Sequence, residues 1–139
     1  FLFGKDITAL PRKLVAENAA VLLAVAGSEK RPALLVDCLD NLDARELVCR
    51  IGADFAIPVL HAALAADGES YGRGGWAPRF VPQAAPAGEP TCRNGENLPF
   101  IGLVASSLAV AAQDFLTTGE KWGFEVNRSG VRRIDYGGK

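Results

Sequence analysis

The sequence predicts an α/β domain: a mostly parallel sheet with helices on both faces, finished by a C-terminal β-hairpin. Three observations carry this. Between Leu10 and Ala62 the pattern alternates helix, strand, helix, strand. Strands separated by helices pair in parallel through right-handed crossovers. Ala33-Leu34-Leu35-Val36 is apolar without alternation, as in a strand buried on both faces. Lys121 to Asn127 and Val131 to Tyr136 flank Arg128-Ser129-Gly130, the pattern of two strands around a turn.

Leu10 to Ala26 reads as a long helix, or as a helix running into a strand. Its apolar positions are Leu14, Val15, Ala19, Val21, Leu22, Leu23 and Val25. Pro11 suits a first helical turn and Gly27 a stop. After the strand at 33–36, Asp37-Cys38-Leu39-Asp40-Asn41 leads into a helix at about Leu42 to Gly52. Its expected core positions are Leu42, Leu47, Val48 and Ile51. Ile57 to Ala62 is the next strand. A turn at Asp67 to Gly72 enters another strand, and Trp76 to Val81 reads as one more. Pro82 to Asn97 is rich in Pro, Ala and Gly, a loop of a length that is usually functional or mobile. Leu98 to Leu116 is the most apolar segment. It is marginally short for a membrane span and reads as a buried helix, capped by Asn97 and closed near Gly119.

Composition narrows the function classes. The 139 residues fit one domain, and 49% hydrophobic with 22% charged residues is a globular balance. A net charge of −1 gives no electrostatic footprint for nucleic acid or an anionic membrane. Three cysteines without a CxxC pair argue against a disulfide framework or a local structural zinc, and a reducing cytoplasm is the expected compartment. Cys38 and Cys49 are expected as buried small hydrophobes, and Cys92 as a loop thiol. The chain has no methionine and begins on Phe1-Leu2-Phe3, so it is expected to start inside a longer protein.

Four features together resemble the ThiF-type superfamily, the adenylating domain of ubiquitin-activating and sulfur-carrier-activating enzymes. Phe1-Leu2-Phe3, Asp6-Ile7, Lys13 and Val15-Ala16-Glu17 look like the segment after that family's Asn-Arg-Gln motif. Asp37-Cys38-Leu39-Asp40-Asn41 with Arg45 looks like its Asp-x-x-Asp-Asn-x-x-x-Arg strand end. Ile57 to Ala62 looks like its next strand. Cys92 in a Pro-rich loop, followed by an apolar helix with Gly102, Ser106 and Ser107 leading into Phe115 to Gly119, looks like its crossover loop and following helix.

The resemblance implies a Rossmann-like fold whose Gly-rich nucleotide-loop unit would lie before Phe1. Gly72-Arg73-Gly74-Gly75 is no substitute, because it does not sit between a strand and a helix. It implies ATP-dependent adenylation of the C-terminal carboxylate of a ubiquitin-like or sulfur-carrier protein, with Mg2+ as cofactor and a homo- or heterodimer as the assembly. Lys13 would reach the phosphates, with the bland alternative of a solvated lysine in a first helical turn. Asp40, just past a strand's C-terminal end, would be the metal-proximal acid. Asn41 would adjoin the nucleotide, although Asp40 or Asn41 also suits a helix cap. Asn41 and Arg45 are expected chiefly to hold the turn, and Asp37 is a weaker rival to Asp40. Cys92 would be a nucleophile, with Arg93 favouring its thiolate. His61 is expected to be structural, and Trp76, Phe80 and Trp122 to be core or interface aromatics. Rival readings are a non-catalytic scaffold subunit and a dinucleotide-binding oxidoreductase domain.

Overall fold

The computed structural model describes residues 9–27, 32–64, 71–80 and 98–135. The chain divides into two compact units, Phe1–Pro32 and Ala33–Lys139. In the first, a 3-10 turn at Ala16–Asn18 runs into helix α1 (Ala19–Gly27). Asn18 organises the approach: its Oδ1 accepts from the Val15 amide at 3.0 Å, and its Nδ2 donates to the Lys13 carbonyl at 2.9 Å. Ala19 is buried, whereas Val21 is 63% exposed.

The second unit holds β1 (Leu35–Asp37), α2 (Leu42–Asp54), β2 (Val59–Leu64), β3 (Gly72–Trp76), α3 (Leu98–Thr118), β4 (Trp122–Asn127) and β5 (Gly130–Asp135). The strands form one sheet in the order β1-β2-β3-β4-β5. Only β1 and β2 pair in parallel; the other three pairings are antiparallel. The expected mostly parallel sheet is therefore corrected to a mixed, mostly antiparallel one. Helix α2 joins β1 to β2 as a parallel crossover, β4 and β5 form an antiparallel hairpin, and β3 and β4 pair antiparallel although α3 stands between them in sequence. The expected C-terminal hairpin is present, with Asn127 opposite Gly130.

Three finer expectations are also corrected. The strand expected over Trp76–Val81 is absent over its described part: β3 ends at Trp76 and a turn follows at 77–79. The expected first strand is shifted to Leu35–Asp37 and is not buried on both faces, because Val36 is 47% exposed on a sheet edge. Helix α2 runs two residues further than expected, to Asp54, and Leu42 is exposed. The Pro-rich stretch and Asn97 lie outside the described residues.

Alternation along β2 assigns the two faces of the sheet. Leu60 and Ala62 join Trp76, Val104, Leu108, Ala111, Trp122, Phe124 and Val126 in the main core, beneath α3. Val59 and His61 point the other way, toward Gly52 and Cys49 of α2. Helices thus cover both faces, as the sequence implied. The α3 end is pinned by aromatics: Trp76 lies 4.7 Å from Phe115 between ring centroids, and the Trp122 indole N–H donates to Asp114 Oδ2 at 2.9 Å. Gly119 then adopts φ +78° and donates to the Phe115 carbonyl at 2.9 Å, which is the left-handed stop expected there.

Phe124 is fully buried, and its ring lies over Gly74. A Cβ at residue 74 would sit 2.3 Å from Phe124 Cε1 and 3.0 Å from the His61 carbonyl oxygen. Neither neighbour can yield, so Gly74→Ala should cost about 1–3 kcal/mol by overpacking. A urea midpoint unchanged from wild type would contradict this packing.

Candidate functional site

The strand end at Asp37 is the chemical centre of the second unit. Asp37 is the last residue of β1 and is 1% exposed. A buried carboxylate needs donors, and it has three. The Leu39 amide donates to Oδ1 at 2.8 Å, Arg45 Nη1 donates to Oδ2 at 3.1 Å, and His61 Nδ1 lies 2.6 Å from Oδ2. Burial alone would raise this carboxyl. The hydrogen bonds from His61 and Leu39, with the Arg45 charge, outweigh it and hold Asp37 below the ordinary carboxylate range.

Topology explains why these residues meet. His61 is the register partner of Asp37 across the parallel β1–β2 pair. Arg45 and Cys49 stand four residues apart on α2, hence on one helix face. The fully buried His61 ring reaches Cys49 with its other nitrogen, Nε2 lying 3.2 Å from Sγ, and it stacks on Phe80 at 5.5 Å. A proton on Nδ1 serves the acceptor-only carboxylate and leaves Nε2 to accept from the thiol. Arg45 also donates, through Nη2, to the Leu39 carbonyl. Asp37 and Arg45 thereby clamp both backbone groups of Leu39, and with them the turn that leads to Asp40.

Asp40 and Asn41 behave differently from Asp37. Asn41 is the N-cap of α2: its Oδ1 accepts from the Ala44 amide at 2.8 Å. Asp40 is exposed, just beyond the C-terminal end of β1, and accepts a long 3.4 Å hydrogen bond from Asn41 Nδ2. Its carboxylate sits at the positive end of the α2 dipole. Asn41→Ala should cost about 1 kcal/mol of stability through the lost cap; a denaturant midpoint at the wild-type value would contradict that role.

The other sequence-derived candidates are placed as follows. Lys13 is exposed, in the first unit, and precedes the helical residues instead of occupying a first helical turn. Cys92 lies outside the described residues. Cys38 is exposed, not buried as expected, because it follows the last residue of an edge strand; Cys49 is half-buried. Burial, followed by the nearby Asp37 charge, pushes the Cys49 thiol up. His61 is buried and fully partnered, as expected, and Trp76 and Trp122 are core residues. Phe80 is half-buried and packs on the buried His61 ring. What sequence reasoning missed is the joining of Asp37, Arg45, Cys49 and His61 into one cluster. The i, i+4 spacing of Arg45 and Cys49 was a usable signal, but the Asp37–His61 register was not.

Among the described residues, no group of three or more His, Cys, Asp or Glu side chains is arranged to hold a metal ion. One exposed carboxylate remains compatible with Mg2+, which is usually held by one or two carboxylates together with phosphate oxygens and water. Compared with known proteins, the chain matches no protein-family model and no curated protein.

Proposed function

We propose that this chain contributes part of the site of an ATP-dependent adenylating enzyme, which activates the C-terminal carboxylate of a ubiquitin-like or sulfur-carrier protein. The observation that carries the reading is Asp40, an exposed carboxylate at the C-terminal edge of a parallel strand pair. Open α/β sheets bind ligands at that edge. The clamp on Leu39 supports Asp40 on a fixed turn, and the α2 N-terminus adds a positive field for an anionic nucleotide.

In adenylation a carboxylate oxygen bonds to the α-phosphorus of ATP, and the bond to the β-phosphate oxygen breaks, releasing pyrophosphate. Two anions must meet, so the reaction needs fixed positive charge. Asp40 would hold Mg2+, which when bound supplies neutralising charge at the phosphates. Lys13 is the assigned phosphate contact by resemblance, and Cys92 the assigned acyl or sulfur carrier. The phosphate-cradling loop would come from outside these residues. The dimer expected for such an enzyme has a surface available: Leu103 and Val110, one heptad apart on α3, are 40% and 49% exposed. α3 is also, among the described residues, the one helix long and apolar enough to cross a membrane; one of its faces is occupied by the sheet.

ATP–pyrophosphate exchange by the full-length protein tests the reading. Label moving from pyrophosphate into ATP, dependent on Mg2+ and on a carrier carboxylate, is expected. No exchange with any carrier would turn the reading toward a non-catalytic scaffold subunit.

A further inference from the structure

Beyond Asp37's share in clamping the turn before Asp40, the Cys49–His61–Asp37 chain has no role in adenylation as proposed, yet it has the layout of a nucleophile, a base and a base-orienting acid. Sγ to Nε2 is 3.2 Å, and Nδ1 to Asp37 Oδ2 is 2.6 Å. Accessibility is graded in the direction that such a site needs. His61 is fully buried and Asp37 nearly so, which shields the base from water, while Cys49 is only half-buried. Arg45 on the far side of Asp37 favours the charged carboxylate, and Phe80 stacks on the imidazole and restricts its tilt. The other charge acting on the thiol from α2 is Glu46.

We propose that Cys49 is a thiol nucleophile activated in place by His61, a reactive centre separate from the strand-end acid, and that it accepts an activated acyl group. In the step, sulfur bonds to the acyl carbonyl carbon and the carbon–oxygen bond to the leaving group breaks. The thiol proton passes to His61 Nε2 and from there to the leaving oxygen. No oxidant or reductant enters. Burial and the Asp37 charge keep the resting sulfur protonated, so activation occurs during attack, as at a serine, and not through a standing thiolate.

The probe is p-nitrophenyl acetate with the intact wild-type protein. Release of p-nitrophenolate is followed by light absorption, and acetylation of each cysteine by peptide mass. The expected result is acetylation of Cys49 at least tenfold faster than of Cys38, although Cys38 is the more exposed thiol. The Cys49 rate should also be slower in D2O, because a proton is in flight. His61→Gln should lower the Cys49 rate by about 10²-fold or more, the ordinary contribution of a general base, and leave the Cys38 rate unchanged. The far-UV circular dichroism and Tm of the His61 variant show separately whether it is folded. If Cys49 labels more slowly than Cys38 in the wild-type protein, or without a solvent isotope effect, the proposal is overturned and the cluster is structural only. The wild-type comparison decides this even if the His61 variant fails to fold. ATP–pyrophosphate exchange does not depend on Cys49, so failure here leaves the adenylation reading untouched.

Discussion

Asp37→Ala is expected to destabilise the second unit by about 3–5 kcal/mol, the usual result of removing one partner from a buried ion pair. For a domain of this size that is a fall in Tm on the order of 10–20 °C. The cost comes from what is left behind. Arg45 is 8% exposed and would keep its charge in a site built for a carboxylate, while the buried His61 would lose its Nδ1 acceptor. Asp37→Asn keeps the shape and should cost less. The pH dependence has a definite sign. Because Asp37 is held below the ordinary carboxylate value in the folded protein, its contribution is fully present above that range. It is lost as pH falls through and below about 4. Asp37→Asn should therefore flatten the acid limb of stability against pH. An unchanged acid limb, or a Tm within a degree of wild type for Asp37→Ala, would show that the cluster does not hold the strand end.

Asp40→Ala should behave in the opposite way. Asp40 is exposed and makes one long hydrogen bond, so its loss should move stability by no more than about 0.5 kcal/mol. The exchange reaction of the full-length protein should instead fall by about 10²–10³-fold, the range for removing one preorganised electrostatic group. The two acids stand three residues apart in sequence, and the fold gives them separate tasks. Asp37 is buried and holds the strand end, and Asp40 is presented to solvent by the turn that Asp37 and Arg45 clamp. Exchange lost equally in both variants, with equal loss of Tm, would contradict that division.

Much of this was legible in the residues, and the illegible part has physical causes. Helix α2 is announced by Asn41 at its cap and by Val48 and Ile51 on its buried face. The hairpin is announced by Ser129-Gly130 between alternating runs, and the α3 stop by Gly119. Strand direction was not legible. Local pattern reports which face is buried, whereas pairing direction depends on how the connections run: α2 joins a parallel pair, yet α3 stands between the antiparallel β3 and β4. Val36 shows the same limit: its apolar run reads as central, and only the strand order places it at an edge. The cluster around Asp37 joins residues 24 positions apart through sheet register. Register is a property of the assembled sheet, so the lone histidine could be read as structural but its partners could not be named.

The central claim, that Asp40 is the metal-holding acid of an adenylating site, is tested most directly by the Mg2+ dependence of ATP–pyrophosphate exchange in the full-length Asp40→Asn protein. A wild-type Tm is expected, together with a Mg2+ requirement for half-maximal exchange raised at least tenfold. An Asp40→Asn protein that exchanges at the wild-type rate with the wild-type Mg2+ requirement would contradict it.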